Sequence, residues 1–370
     1  LDTFGVAISA FFSLGLRLMV EKNSIKVAVV GYGVIGRRVA ASVALQSDMT
    51  LVGVADVTAD WRIAQAVHAG LSLFSASEDA RQSMVAAGLA VTGTLTDLIE
   101  MADVVVDCTP KRRGAANAEL YRRLGRAFIV QGGEKHEVTG HSFVAESSYS
   151  GALGRAATRV VSCNTTSIVR TLGALKRAGL LVKARGTLLR RTTDPWESHL
   201  GGIVNTLVPE QQLPSHQGPD ARAVDPDLDV VTIAVEVPET IGHLHAWAVE
   251  LTRAATKEEI LFAFSSSSRI LLVDSRTGLS ALNAIKEWMA DEGRPHANLY
   301  EVALWSDLLA IEGRELFYSY MVDNQAIVIP ETIDAIRALS GQTTDPAISI
   351  ERTNTTLGIG SLAVPKAALA

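Results

Sequence analysis

The spacing of apolar and polar positions changes character once along this chain, close to residue 162. Up to that point short unbroken apolar runs, Ile25 to Val30, Thr50 to Ala55, Ala102 to Pro110 and Phe128 to Val130, read as strands buried on both faces. Segments of helical period follow the first two, one running to about Leu45 and one over Trp61 to Ala69, with a more polar stretch after the second. Strands alternating with helices from Ile25 to Ser162 predict a doubly wound parallel sheet. Beyond it, Ala184 to Arg191, Val230 to Val237, His243 to Leu251 and Arg269 to Val273 read as strands exposed on one face, with fewer helices between them. That texture predicts a second domain of α+β type around a largely antiparallel sheet. Helical patterns return at Leu279 to Ala290 and Thr332 to Leu339.

At the change of texture lies Val160-Val161-Ser162-Cys163-Asn164-Thr165-Thr166, an apolar run that breaks at a cysteine where a helical pattern starts. Ile168, Leu172 and Leu175 recur at helical spacing, Lys176 and Arg177 occupy the last turn, and Gly179 supplies the stop. Cys163 is therefore expected at a helix N-terminus, where free N–H groups and the dipole favour a thiolate. Asn164, Thr165 and Thr166 are expected to cap the helix and to donate to a reacting oxygen.

Composition narrows the field. The chain has 370 residues with a net charge of −6 from 34 basic and 40 acidic residues, and no sustained run of one sign. Two domains and small-molecule partners fit better than a nucleic-acid footprint or a membrane span. Two cysteines, Cys108 and Cys163, exclude a disulfide framework and fit a reducing, cytoplasmic compartment. Cys108 sits inside an apolar run and reads as packing. The apolar stretch Phe4 to Phe12 lacks a positive region ahead of it, so residues 1–23 are expected to be an extension, with Met19 as the true start.

Gly31-Tyr32-Gly33-Val34-Ile35-Gly36 follows the first strand and opens the first helix, the placement of a dinucleotide loop. In that reading Gly31 allows the turn, Gly33 the approach of a pyrophosphate and Gly36 helix–strand packing. The second strand ends at Asp56, where a carboxylate reaches adenosine ribose hydroxyls or simply solvates a loop. Gly132-Gly133 ends another strand, either admitting a ligand to the backbone or making a plain turn. His243 and His245 share one face of a strand, with Leu244 on the other, and supply a candidate base for a cysteine nucleophile. The loop Pro214-Ser215-His216-Gln217-Gly218-Pro219-Asp220 either holds an anionic group or is a well-made turn, and Arg190-Arg191 is a paired cation suited to phosphate or to a surface. His, Cys and carboxylates do not fall at metal-ligand spacing, so no metal is expected.

Those glycines, together with Asp107-Cys108-Thr109-Pro110, Gln131-Gly132-Gly133-Glu134-Lys135-His136, Ser162-Cys163-Asn164-Thr165-Thr166, Arg170 to Lys176, Pro214-Ser215-His216, Gly218-Pro219-Asp220 and Val328-Ile329-Pro330-Glu331, resemble the archaeal-type glyceraldehyde-3-phosphate dehydrogenases. The resemblance runs in order from about Ile25 to Gly358. It implies a phosphorylating aldehyde dehydrogenase, a homotetramer, acting on glyceraldehyde 3-phosphate with NAD or NADP and inorganic phosphate. It implies a dinucleotide domain over 24–162 completed by a helical segment at 326–360, a catalytic domain over 163–325 and a flexible tail at 361–370. Cys163 falls on the nucleophile and His243 on the general base. Val34, Ile35, Gly133 and Arg191 fall on cofactor positions, with Asn324 at a further one, and join Gly31, Gly33, Gly36, Asp56 and Thr109 as read from the residues themselves. Ser162, Asn164, His216, Gln217 and Gly218 fall on substrate positions, and Thr165 joins them from the reading of the helix start.

The chain departs from the family pattern at four places. Gln217 replaces a second histidine, which bears on affinity for the substrate phosphate. Ala55 and Asp56 replace Thr and Lys, and a carboxylate there repels a 2′-phosphate, so NAD is the expected preference, with Arg37 or Arg38 as residues that would restore NADP. Lys111-Arg112-Arg113 is unusually basic, and Asn324 replaces a glutamine. Two other readings remain at this point: a dehydrogenase of another phosphorylated aldehyde or semialdehyde, and a nucleotide-binding sensor without catalysis.

Overall fold

In the computed structural model residues 24–365 are described; the N-terminal extension with its Met19 start and the last five residues lie outside them. The strands are β1 Ile25–Val30, β2 Met49–Asp56, β3 Leu73–Ser75, β4 Val91–Thr94, β5 Val104–Asp107, β6 Ala127–Val130, β7 Ser142–Phe143 and β8 Ala157–Val160, then β9 Leu181–Arg191, β10 Val208–Pro209, β11 Val230–Val237, β12 His243–Leu251, β13 Ile270–Val273, β14 Val302–Trp305, β15 Ala310–Glu312 and β16 Glu315–Val322. The helices are α1 Val34–Ala44, α2 Trp61–His68, α3 Glu78–Ala86, α4 Leu95–Met101, α5 Arg113–Arg123, α6 Ala145–Ala152, α7 Cys163–Arg177, α8 Gln217–Arg222, α9 Lys257–Ser265, α10 Leu282–Asp291, α11 Val328–Ser340 and α12 Pro346–Leu357.

β1 to β8 form one parallel sheet in the order β4-β3-β2-β1-β5-β6-β8-β7. The strand order reverses beside β1, between β2 and β5, so a crevice opens outside their C-terminal ends, where the glycine loop and Thr109 lie. The polar stretch after α2 conceals β3, α3, β4 and α4; strands of three and four residues and a helix reading EDARQSMVA carry too little periodicity to be seen. The second sheet runs β10-β11-β9-β12-β16-β14-β13, with β15 on β16. It is mixed, parallel where β9 meets β11 and where β13 meets β14 and antiparallel elsewhere.

Helix α7 packs on β9 and β16 and is flanked by α6, α8 and α9, and every residue from Asn164 to Leu175 is buried. Helix α11 packs against α1, α6 and β5, β6 and β8, which brings the C-terminal segment back to the first sheet. We take β1–β8 with α11 and α12 as one domain and β9–β16 as the other on that basis.

What joins the layers is a set of ion pairs without solvent access. Arg170 of α7, Arg269 and Glu331 of α11 are each 0% exposed. Arg170 donates Nη2 to Glu331 Oε1 at 2.6 Å and Nη1 to the Tyr300 carbonyl at 2.8 Å. Arg269 donates Nη1 to the same carboxylate oxygen at 2.9 Å and Nη2 to Asp334, while Glu331 Oε2 accepts the Ala145 N–H at 2.6 Å. Burial raises the pKa of Glu331, but Arg269 and Arg170 outweigh it and leave the carboxyl below its ordinary value.

Glu331→Ala leaves the buried Arg170 without a carboxylate and Arg269 with Asp334 alone, and is expected to lower stability by about 3–5 kcal/mol. Equilibrium denaturation of wild type and variant measures it; a loss under about 1 kcal/mol would mean that solvent or a neighbour neutralises Arg170 and Arg269.

Candidate active site

Ser162, with extended ψ of 160°, is the N-cap of α7, and its hydroxyl accepts the Thr165 N–H at 3.3 Å. This corrects the expectation that Asn164, Thr165 and Thr166 cap the helix. Thr165 is 0% exposed and its hydroxyl is paired with Ser162 at 2.9 Å, so it buttresses the cap. Thr166 is likewise buried, with its hydroxyl on the Val161 carbonyl. Cys163 is the first helical residue, as expected.

Residues 80 apart in sequence meet here: Cys163 Sγ lies 3.5 Å from His243 Nε2. The Arg191 N–H donates to His243 Nδ1 at 3.0 Å, so the proton of the neutral ring sits on Nε2 and points at sulfur. Burial pushes the Cys163 thiol up to about 11, against the opposing pull of Arg191, the Asn164 N–H and Arg190. The helix end is present, yet desolvation outweighs it, and the expected thiolate is corrected to a thiol. Burial also drives the pKa of His243 well below its ordinary value, with His245, Arg191 and Arg190 adding to the effect. Cys108 is packed, and burial raises its thiol further still.

His245 faces the same way as His243 and is 0% exposed. Its Nε2 lies 2.9 Å from Asn164 Oδ1 and its Nδ1 2.9 Å from the Tyr320 hydroxyl. Arg191 pairs with Asp194 at 2.9 Å, Asp194 accepts from Gln325, and Gln325 accepts from Arg38 at 2.9 Å. Sequence reasoning missed Tyr320, Asp194 and Gln325, and missed Arg159, which donates to the Glu134 carbonyl at 3.0 Å and to Asp220 at 3.2 Å. For Arg159 there was a signal, an arginine inside the buried strand ATRV.

The glycine loop fits a dinucleotide. A Cβ on Gly31 would lie 2.9 Å from the Thr109 nitrogen, and one on Gly36 would lie 1.8 Å from the Gly31 oxygen, whereas at Gly33 it meets nothing within 4 Å. The first and third glycines are thus fixed by packing and the second faces open space at the uncapped start of α1, where backbone N–H groups suit a pyrophosphate. Val34 and Ile35 are half-buried on that first turn. Asn324 Oδ1 is buried without a hydrogen-bond partner, an acceptor suited to a carboxamide. Thr109 donates its hydroxyl to Asp107 Oδ1. Of the glycine pair, Gly132 is the tight one, since a Cβ would come within 2.3 Å of the Ser162 nitrogen; Gly133 is exposed against Lys111.

Arg38 is spent inside the protein on the Val34 carbonyl, Asn298 and Gln325, so it does not face a cofactor; only Arg37, lying 5.4 Å from the Trp61 ring, stays available. On the substrate side His216 is exposed and pairs with Glu210 at 3.0 Å, and the Gly218 N–H is used by Thr232 at 3.1 Å. Gln217 is 0% exposed, and neither atom of its amide has a partner. A buried amide left so is costly unless a ligand completes it.

Two family models match the chain. That for the C-terminal domain of glyceraldehyde 3-phosphate dehydrogenase covers residues 162–288, and that for the N-terminus of dihydrodipicolinate reductase covers 25–133. Among similar proteins, a glyceraldehyde-3-phosphate dehydrogenase of Metallosphaera sedula is 44% identical over 91% of this chain and 98% of its own length. Those of Methanococcoides burtonii and Thermococcus kodakarensis are each 41% identical, over 91% and 90% of this chain and 100% and 99% of their own lengths.

Because the thiolate is the reactive form, a raised pKa makes it scarce at neutral pH. Iodoacetamide labelling of Cys163 in the ligand-free protein is therefore expected to rise about tenfold per pH unit from 7 to 9 without levelling. A plateau reached below pH 8 would show that the helix end prevails over burial.

Proposed function

The chain belongs to the archaeal-type glyceraldehyde-3-phosphate dehydrogenase family, and from that premise we propose how its own residues divide the work. It is an oxidoreductase that uses a nicotinamide cofactor to oxidise an aldehyde, D-glyceraldehyde 3-phosphate, to the acyl phosphate 1,3-bisphosphoglycerate with inorganic phosphate. The observation that carries the assignment of roles is the 3.5 Å contact between Cys163 Sγ and His243 Nε2 at the start of α7.

Cys163 bonds through sulfur to the aldehyde carbon, and the carbonyl oxygen takes a proton, which gives a thiohemiacetal. The nicotinamide, held by Gly31 to Gly36, Thr109, Gly133, Arg191 and Asn324, supplies the hydride acceptor when bound. His243 takes the hydroxyl proton as the carbon is oxidised to a thioester. Nε2 must be free of its own proton to do so, which requires the Arg191 N–H bond to Nδ1 to open. A phosphate oxygen then attacks the thioester carbon, the C–S bond breaks, and the acyl phosphate departs. Ser162 and Asn164, the exposed His216, the Gly218 backbone and the unpartnered amide of Gln217 are the residues we assign to holding the substrate, with Thr165 behind them.

For the cofactor we propose a preference for NAD. Asp56 Oδ1 is filled by the Val57 and Thr58 N–H groups and the Thr58 hydroxyl, but Oδ2 accepts only the Tyr32 N–H at 2.6 Å and keeps a lone pair for a ribose hydroxyl. Arg37, which makes no ion pair among the described residues, is the one cation placed to offset Asp56 when NADP binds. Exposed apolar side chains on the outer face of the second sheet and the loop before β11, among them Trp196, Leu200, Val204, Ile233 and Phe317, support assembly of copies of the chain, and we propose a homotetramer. No helix among the described residues is long and apolar enough to cross a membrane, and the free cysteines support a reducing, cytoplasmic setting.

Cys163→Ser is expected to abolish turnover while dinucleotide binding, followed by fluorescence titration, stays unchanged. His243→Asn and His243→Gln should each lower kcat by about 10²–10³-fold; a His243→Gln enzyme close to wild type would mean that Nε2 serves only as a donor. Reduced cofactor formed beyond one equivalent per Cys163 must depend on inorganic phosphate, and phosphate-independent turnover would favour a non-phosphorylating relative. Asp56→Ala should narrow the ratio of NAD to NADP efficiency by about tenfold, and Arg37→Ala should widen it.

A further inference from the structure

Behind the nucleophile, His245, Tyr320 and Ser167 form a buried polar cluster on Asn164 that the reaction above leaves unused. His245 is flanked by Tyr320 and Trp247, with ring centroids 4.9 and 6.3 Å away, and has no solvent access. Burial, and then Arg190, lower its pKa to about 3, so it carries a single proton. Asn164 Oδ1 can only accept, which puts that proton on Nε2 and makes Nδ1 the acceptor of the Tyr320 O–H. The Tyr320 hydroxyl has one proton, and its contact with Nδ1 at 2.9 Å is shorter than its contact with Ser167 Oγ at 3.3 Å, while the Ser167 hydroxyl donates to the Asn164 carbonyl at 2.8 Å.

The consequence falls on the Asn164 carboxamide. With Oδ1 accepting from Nε2–H, a half turn of the amide requires His245 to move its proton to Nδ1 and the Tyr320 hydroxyl to leave Nδ1 at 2.9 Å for Ser167 Oγ at 3.3 Å. Its Nδ2 makes no hydrogen bond with any described side chain or backbone group, although the residue is only 5% exposed, and it belongs to the residue next to Cys163. A donor held this way, beside the sulfur, suits the oxygen that gains charge when the carbonyl carbon becomes tetrahedral.

We propose that His245 is a positioning residue that fixes which end of the Asn164 carboxamide faces the carbon bonded to Cys163, with Tyr320 fixing the tautomer of His245. This rests on Cys163 being the nucleophile. It does not require His245 to exchange a proton, and both of its ring nitrogens are occupied by partners behind the cleft.

A double-mutant cycle separates positioning from plain packing. Asn164→Ala removes the donor and is expected to lower kcat by about 10²-fold with KM little changed. His245→Phe keeps the ring volume beside Tyr320 and Trp247 but frees the amide, and should lower kcat by about tenfold or more. In the Asn164→Ala background the same change should cost less than about twofold, because the group through which His245 acts is gone. His245→Gln, which keeps a donor, should recover part of the loss. Losses that multiply in the double variant, or an unchanged kcat in folded His245→Phe, would overturn the proposal. If His245→Phe does not fold, Tyr320→Phe takes its place in the cycle with the same requirement of non-additivity. A Cys163→Ser variant that keeps turnover would overturn the reading of Cys163 and not this one alone.

Discussion

Glu331 is the group on which the arrangement of the two sheets depends. One carboxylate, with no solvent access, receives Arg170 from the helix that starts at Cys163, Arg269 from the approach to β13, and the Ala145 N–H from the end of the first sheet. Each guanidinium alone would carry a large desolvation cost into the interior. Buried together they are tolerable only in one relative placement of α7, α11 and β13, because the hydrogen bonds are short and directional. Arg337, which bonds Asp48 at 2.7 Å from the same helix, extends that restriction to the start of β2. Hydrophobic burial would let these layers slide; the ion pairs specify where they stop.

That registration matters because the cleft is assembled from parts that no local rule brings together. The sulfur belongs to α7, the imidazole to β12, and the amide that orients the imidazole to β9. Both groups are held neutral, the thiol by burial and the imidazole by burial and nearby arginines. Those arginines are themselves paired, Arg190 with Glu210 at 3.4 Å and Arg191 with Asp194 at 2.9 Å, so the strand beside the sulfur carries its cations together with their counter-charges.

The chemistry-bearing residues were legible because they interrupt strong patterns. Cys163 breaks an apolar run where a helix begins, and His243 and His245 alternate on a strand whose bounds, like those of Val230–Val237, coincide with the observed ones. Alternation on a half-buried strand is a two-residue signal that needs no partner to read. Much of the rest was not legible. The cap at Ser162 and the diversion of Thr165 depend on one backbone angle, and the helices α5, α6 and α12 are too polar or too short for their period to stand out. Arg38 looked like a cofactor residue because it follows the glycine loop; its partners Asn298 and Gln325 lie 260 and 287 positions away. Pairings of that separation are decided by how the domains dock, which periodicity does not carry.

Those same long-range pairings connect the cofactor loop to the imidazole. Arg38 donates to the Val34 carbonyl at 2.9 Å, on the first turn of α1, and to Gln325, which leads through Asp194 to Arg191, whose backbone N–H donates to His243 Nδ1 at 3.0 Å. Every member of this series is a donor–acceptor contact with one good geometry, so a shift at the first turn of α1 cannot be absorbed by a single side chain. In the reading proposed above, the contact that opens before His243 acts as a base lies at the far end of the series. Gly33 and Arg191, the residues proposed for the dinucleotide, flank the series at its two ends, so Gln325 and Asp194 are the groups that set the spacing between them.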